Sequence, residues 1–147
     1  MREQLPLVFG DASGVSSGLI VGPENELAIK WLKNWPDWPL PSRFLNVFGP
    51  DACGKSSLGE FHRQRTGAQF LTRLAKWDPR ELIGSHFILD DIAISKKWSE
   101  EALFFLYQTV TGNSGSILFL SEKPISKIAW QLDDLRSRFR SVNAQEI

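Results

Sequence analysis

Gly49-Pro50-Asp51-Ala52-Cys53-Gly54-Lys55-Ser56 has the spacing G-x-x-x-x-G-K-S. Each residue type answers a need of phosphate chemistry. The glycines let the backbone curl until its N–H groups face phosphate oxygens. Lys55 would reach the β- and γ-phosphates, and the Ser56 hydroxyl would ligate Mg²⁺. A helix starting here, with Ser57 in its first turn, adds the positive end of its dipole. The candidate nucleotide-binding residues are therefore Gly49 through Ser57. The alternative is a glycine-rich turn that holds no ligand. Cys53 reads as a small space-filler rather than a nucleophile.

A second constellation lies downstream. Phe87-Ile88-Leu89-Asp90-Asp91 is an apolar run ending in two carboxylates. The first acid of such a pair holds Mg²⁺ and the second orients or activates the attacking water. Asp90 is the metal candidate and Asp91 the catalytic one. The plainer alternative is a strand end followed by an acidic turn. Glu122 follows another apolar run, Ile117-Leu118-Phe119-Leu120, at a position that can face a γ-phosphate. Arg136 and Arg138 close a late helical stretch, where an arginine could point at a neighbour's nucleotide. Solvated helix charge is the alternative, and it is the preferred reading for Arg136.

These groups need a scaffold, and the pattern supplies one. A helix is expected from Pro23 to Trp35, with proline suited to its first turn. Trp35 to Pro41 carries three prolines and is expected to be an extended connector. Phe44–Phe48 reads as a buried strand running into the phosphate loop, followed by a helix from Lys55 to Thr66 stopped by Gly67. Further strands are expected at 68–71, 86–90 and 117–120. Ser99 caps a helix with apolar face Leu103, Leu106, Tyr107 and Val110, ended by Gly112, and Trp98 and Leu103 have staple spacing. A last helix is expected over 126–139, with Trp130 on its inner face. Apolar strands alternating with helices indicate an α/β fold with a parallel central sheet flanked by helices in three layers.

Composition sets the outer limits. The chain has 147 residues, 42% hydrophobic and 12% aromatic, ample for one folded domain. Lysine plus arginine and aspartate plus glutamate number 17 each, so the net charge is zero. That argues against gripping nucleic acid by bulk electrostatics. No stretch reads as a membrane span or a secretory leader. One cysteine points to a reducing, cytoplasmic setting. Trp31, Trp35 and Trp38 should wedge the first helix and connector onto the sheet. His62 and His86 lack the companions of a metal site. Lys96-Lys97 reads as a solvated turn. Residues 1–18 differ from the rest: a short apolar peptide, Gln4-Leu5-Pro6-Leu7-Val8-Phe9, sits on a Gly/Ser tether, apart from a domain spanning 19–147.

Together these motifs resemble the AAA+ family of P-loop NTPases, and within it the bacterial initiator DnaA and its Hda-like relatives. The similar pieces are Ile20-Val21-Gly22-Pro23-Glu24-Asn25, the phosphate loop, Leu89-Asp90-Asp91, Leu118-Phe119-Leu120-Ser121-Glu122-Lys123-Pro124 and Leu135-Arg136-Ser137-Arg138-Phe139. The resemblance covers about residues 19–140. It implies that Val21 and Gly22 touch the nucleotide base. It also implies that Glu122 lies near the first sensor and that Arg138 acts in trans on a partner's nucleotide. Gln4, Leu5, Leu7, Val8 and Phe9 look like the short bacterial sliding-clamp-binding motif, with Leu7 and Phe9 filling an apolar groove and Gln4 fixing register. The tail could instead fold onto its own core.

The implied role is regulatory inactivation: a clamp-bound protein promotes hydrolysis of DnaA-bound ATP. The expected cofactors are ADP or ATP with Mg²⁺. The expected partners are the DNA polymerase III sliding clamp, DnaA and, through the arginine face, a second copy, with no sequence-specific DNA binding. The expected setting is the bacterial cytoplasm near the replisome. Departures from the family pattern are specific. The segment 71–87 is too short for the initiator's helical insertion, and the chain is expected to form the base domain without the helical lid. Asp91 stands for the usual glutamate, as in DnaA, whereas Glu122 stands where DnaA has aspartate and Asp134 where it often has arginine. Two other readings compete: an ATPase with its own turnover, and a binding module with a vestigial loop.

Overall fold

The computed structural model describes residues 21–38, 43–50, 54–71, 85–90, 99–111 and 115–147. Among the described residues five strands form one sheet: β1 Arg43–Phe48, β2 Gln69–Leu71, β3 His86–Asp90, β4 Ser116–Ser121 and β5 Asn143–Glu146. Their order is β2-β3-β4-β1-β5, and every neighbouring pair is parallel. The described α-helices are α1 Glu26–Lys33, α2 Lys55–Thr66, α3 Glu100–Thr111 and α4 Asp133–Phe139.

Strand side chains alternate between two faces, and each face has its own core. Phe44, Phe87, Leu89, Ile117 and Phe119 pack under α3 and α4, against Leu103, Leu106, Tyr107, Val110, Leu135 and Phe139. Leu45, Val47, Ile88, Leu118 and Leu120 pack under α1 and α2, against Ala28, Ile29, Leu32 and Leu58. This is the expected three-layer arrangement, and burial on both faces explains the near-continuous apolar runs of β3 and β4. Trp38 joins the second core, with Trp31 and Trp35 half-buried beside it, as expected. Leu27 is 58% exposed, because α1 turns Ala28, Ile29 and Leu32 inward instead.

Local signals account for most boundaries. Gly67 takes a left-handed conformation (φ 77°) and donates its N–H to Arg63 O at 2.8 Å, ending α2. The Ser99 hydroxyl accepts from Ala102 N at 3.1 Å, the expected cap of α3. Gly59 has a steric reason to be glycine: a Cβ there would lie 2.9 Å from Leu120 Cδ1. Its absence lets α2 lie close against β4.

Three expectations are corrected. The helix over 126–139 breaks into a 3₁₀ turn at Ile125–Lys127, an extended passage and the short α4. Ile128 is extended (φ −77°, ψ 142°) and the Trp130 indole donates to Ile125 O at 2.8 Å, so the chain folds back before α4 starts at the acidic pair Asp133-Asp134. Trp130 is buried as expected, but ahead of the helix rather than on it. Strand β5 was not foreseen; Asn-Ala-Gln-Glu has neither length nor apolar content, and only pairing with β1 makes it a strand. The connector begins as a turn, with Asp37 N donating to Asn34 O at 2.9 Å.

The tail 1–18, Asp51–Cys53, Asp91, the Lys96-Lys97 turn, the Trp98 staple and Gly112 fall outside the described residues. Among the described residues no helix is long and apolar enough to cross a membrane, and no helical lid follows α4.

Candidate functional site

The five described strands are all parallel, so their carboxyl ends share one edge of the sheet. Phe48 is level with Ser121, and Asp90 with Leu120. Gly49, Asp90 and Glu122 therefore emerge along the same edge. β4 lies between β1 and β3, which puts the Asp90 strand about 10 Å from the loop strand at ordinary strand spacing. Chain order reverses beside β1: the chain leaves it for the far edge at β2, returns through β3 and β4, and passes to β5 on the other side. Such a switch point, at the carboxyl edge of a parallel sheet, is where ligands bind in open α/β folds.

The start of the loop is anchored to the sheet. Gly49 N donates to Ser121 O at 3.1 Å, tying its start to β4. Gly54 is the residue before α2 and has φ 97°, ψ 11°, a conformation glycine adopts without strain. No atom lies within 4 Å of an added Cβ there, so the requirement is backbone freedom and not space. No side chain caps α2, so its first-turn amides face the loop. Lys55 Nζ donates to Gly49 O at 2.7 Å and to Pro50 O at 3.1 Å, drawing the ammonium back to the residues where the loop begins. Ser56 is exposed and Ser57 half-buried in the first turn, next to Gly54. An uncapped helix start, a positive-φ glycine and a lysine held at the start of the loop fit an anionic phosphate chain. Ser56 and the half-buried Asp90 fit the metal that would accompany it.

Val21 and Gly22 sit in a turn closed on itself: Gly22 N donates to Asn25 Oδ1 at 2.9 Å, and Asn25 N to Gly22 O at 3.2 Å. Val21 is 45% exposed, which leaves an apolar surface of the kind a base stacks on. Glu122 is exposed immediately after β4.

The late arginines differ. Arg136 pairs with Asp133 and donates to Trp130 O at 2.8 Å, so it serves α4 itself. The exposed Arg138 guanidinium has no partner among the described residues. The start of α4 is held from another helix: both Glu100 carboxylate oxygens accept from Gln131 N, at 2.9 and 3.1 Å, and Leu132 N donates to one of them at 2.8 Å.

Sequence reasoning passed over Asn46. Fully buried in β1, its amide donates to Phe119 O at 3.1 Å and Ser121 Oγ at 2.9 Å, and its carbonyl accepts from Ile125 N at 2.9 Å. The available signal was a lone asparagine within an apolar strand. At the opposite edge of the sheet, the Trp35 indole donates to Ser116 Oγ at 3.0 Å, and His86 Nδ1 lies 2.9 Å from the same oxygen. Burial lowers the His86 pKa, and the Arg43 charge adds to this. His62 is fully buried and stacks on Trp38 at 5.4 Å between ring centroids. Neither of its ring nitrogens has a partner, and burial pushes its pKa down to about 4. Among the described residues no cluster of three or more metal-ligating side chains forms.

No family model matches the sequence, and no curated protein matches it. Solved structures do. AMPPCP-bound DnaA from Aquifex aeolicus superposes with a TM-score of 0.66 at 20% identity, over 88% of this chain and 48% of that one. Domain III of the Thermotoga maritima initiator DnaA gives 0.66 at 16% identity, over 93% and 68%. A putative primosome component from Streptococcus pyogenes serotype M3 gives 0.61 at 17% identity, over 86% and 80%. The chain thus spans about half the length of the longer initiator chains. The fold is that of DnaA domain III.

Proposed function

We propose that this chain binds an adenine nucleotide and Mg²⁺ at its phosphate loop and regulates replication initiation by promoting hydrolysis of DnaA-bound ATP. The carrying observation is the contrast on α4. Arg136 is consumed by Asp133 and Trp130 O, whereas the exposed Arg138 is unpaired among the described residues. The exposed Arg138 guanidinium, like that of Arg140 beyond it, is left by the described residues to meet solvent or an anion on another molecule. A guanidinium placed against a γ-phosphate stabilises the charge that builds there in the transition state.

The chain's own residues divide the remaining work. Lys55 and the first turn of α2 hold the phosphates, while Ser56 and Asp90 hold Mg²⁺, which would supply charge neutralisation at the phosphate oxygens. Val21 and Gly22 border the base. Gln4, Leu5, Leu7, Val8 and Phe9 dock the tail on the sliding clamp and so concentrate the regulator where replication proceeds. Action at the replisome implies a cytoplasmic protein.

Single-turnover hydrolysis of DnaA-bound ATP, with clamp present, tests this reading. The intact chain should accelerate it, Arg138→Ala should abolish the acceleration, and Gln4→Ala with Leu7→Ala should remove its dependence on the clamp. Equal rates with and without the chain would refute it.

A second reading is favoured by Asp90 lying on the same sheet edge as the phosphate loop: an ATPase with its own turnover, Asp91 orienting the water and Glu122 sensing the γ-phosphate. Turnover by the chain alone, lost in Asp90→Asn, would select it.

A further inference from the structure

Asn46 is the one fully buried residue of the amide type among the described core, and it stands in the strand that delivers the phosphate loop. Its bonds do not merely satisfy its own polar atoms. The amide reaches across to β4 at Phe119 O (3.1 Å) and Ser121 Oγ (2.9 Å), and the carbonyl takes the N–H of Ile125 (2.9 Å). Ser121 Oγ in turn donates to Lys123 O at 2.6 Å, and Ser121 O accepts from Gly49 N at 3.1 Å. The turn 121–125, which carries Glu122, is therefore fastened at both ends to β1, three residues before Gly49.

An apolar residue would pack this position at no polar cost, since every other described β1 residue between Arg43 and Phe48 is apolar. Burying an amide here requires that all its partners be present at once. That makes the network all-or-none and gives the turn one position relative to the phosphate loop.

We propose that Asn46 is a positioning residue for nucleotide discrimination: it ties the Glu122 turn to the strand end from which the phosphate loop leaves, so that the site distinguishes a triphosphate from a diphosphate. The inference rests on the nucleotide-binding reading above. The turn leaves the same sheet edge as Gly49, whose N–H is bonded to Ser121 O. On the nucleotide-binding reading, a third phosphate extending beyond Lys55 along that edge would meet the turn, whereas a diphosphate held by Lys55 and the start of α2 would not.

The test uses the full chain and calorimetry with Mg²⁺ and either ADP or AMPPCP. Asn46→Leu removes all three bonds at similar volume. Ser121→Ala removes only the hydroxyl links and serves as the milder variant should Asn46→Leu fail to fold. Hydrogen exchange at the Ile125 amide reports whether the turn has come loose. We expect ADP affinity within about twofold of wild type, AMPPCP affinity weakened by about fivefold or more, and faster Ile125 exchange. A parallel loss of both nucleotides, or unchanged affinities with a loosened turn, would overturn the inference and leave nucleotide binding standing. Failure of the wild-type chain to bind either nucleotide would remove the nucleotide-binding reading, and this inference with it.

Discussion

Replacing His62 by phenylalanine should flatten the acid side of the stability profile. In the folded chain His62 is fully buried, stacked on Trp38 and edge-on to Trp35, with a pKa pushed down to about 4. Burial is the main cause, and the charges of His86 and Arg65 add to it. In the unfolded chain the group returns to the ordinary imidazole value of 6.5. Between these values the unfolded state binds more protons, so stability falls as pH falls from about 6.5 towards 4 and levels off below that. At pH 4.5 an unfolded imidazole is about 99% protonated and the folded one about a quarter. Integrating this difference from pH 7.5 to 4.5 gives a loss of about 2.5 kcal/mol. Phenylalanine keeps the ring packing and has nothing to titrate. It also deletes two buried nitrogens without partners, so at pH 7.5 the variant should be more stable by about 1 kcal/mol. Urea unfolding followed by tryptophan fluorescence at both pH values measures each quantity. The gap between variant and wild type should widen by about 2.5 kcal/mol on acidification. Contributions from His86 and the carboxylates appear in both proteins and largely cancel. Parallel profiles would refute the reasoning, because they would mean that His62 reaches a proton acceptor or water in the native state.

The two loop-helix glycines should fail differently. Gly54→Ala meets no neighbour but must hold φ 97°, at a cost of about 1–2 kcal/mol, and should weaken ADP binding in calorimetry as the loop relaxes. Gly59→Ala gains helix propensity but drives a methyl to 2.9 Å from Leu120 Cδ1 and 3.0 Å from Phe70 Cζ, for a net loss of about 1 kcal/mol in urea unfolding. Glu100→Ala strips the carboxylate that receives Gln131 N and Leu132 N. It should lower the melting temperature by about 3 °C and speed hydrogen exchange at those two amides.

What could be read from the sequence follows from how locally each feature is determined. The strand into Gly49 and the helix from Lys55, β3 ending in Asp90, the Ser99 cap and the inner face of α3 depend on residue type and short-range spacing, and all are legible in the sequence. Features fixed by distant partners are not. β5 is a strand because β1 accepts it, and the break before α4 comes from the Trp130 indole reaching back to Ile125 O and Glu100 capping from α3. Asn46 shows the limit most clearly: its identity was visible inside an apolar run, but its three partners come from β4 and the turn beyond it, 73 to 79 residues away. The paired environment of Arg136 against the bare Arg138 likewise depends on Asp133 and Trp130 O, and spacing alone did not separate the two.

Everything functional rests on the phosphate loop holding a nucleotide. The direct measurement is calorimetric titration of the intact chain with Mg²⁺–ADP beside Lys55→Ala. That substitution removes the ammonium now held by Gly49 O and Pro50 O while leaving both cores intact. One-to-one binding by the intact chain, lost in Lys55→Ala with its unfolding midpoint unchanged, is the predicted result. An absence of binding by the intact chain at millimolar ADP would contradict the account and leave a nucleotide-free scaffold of the same fold.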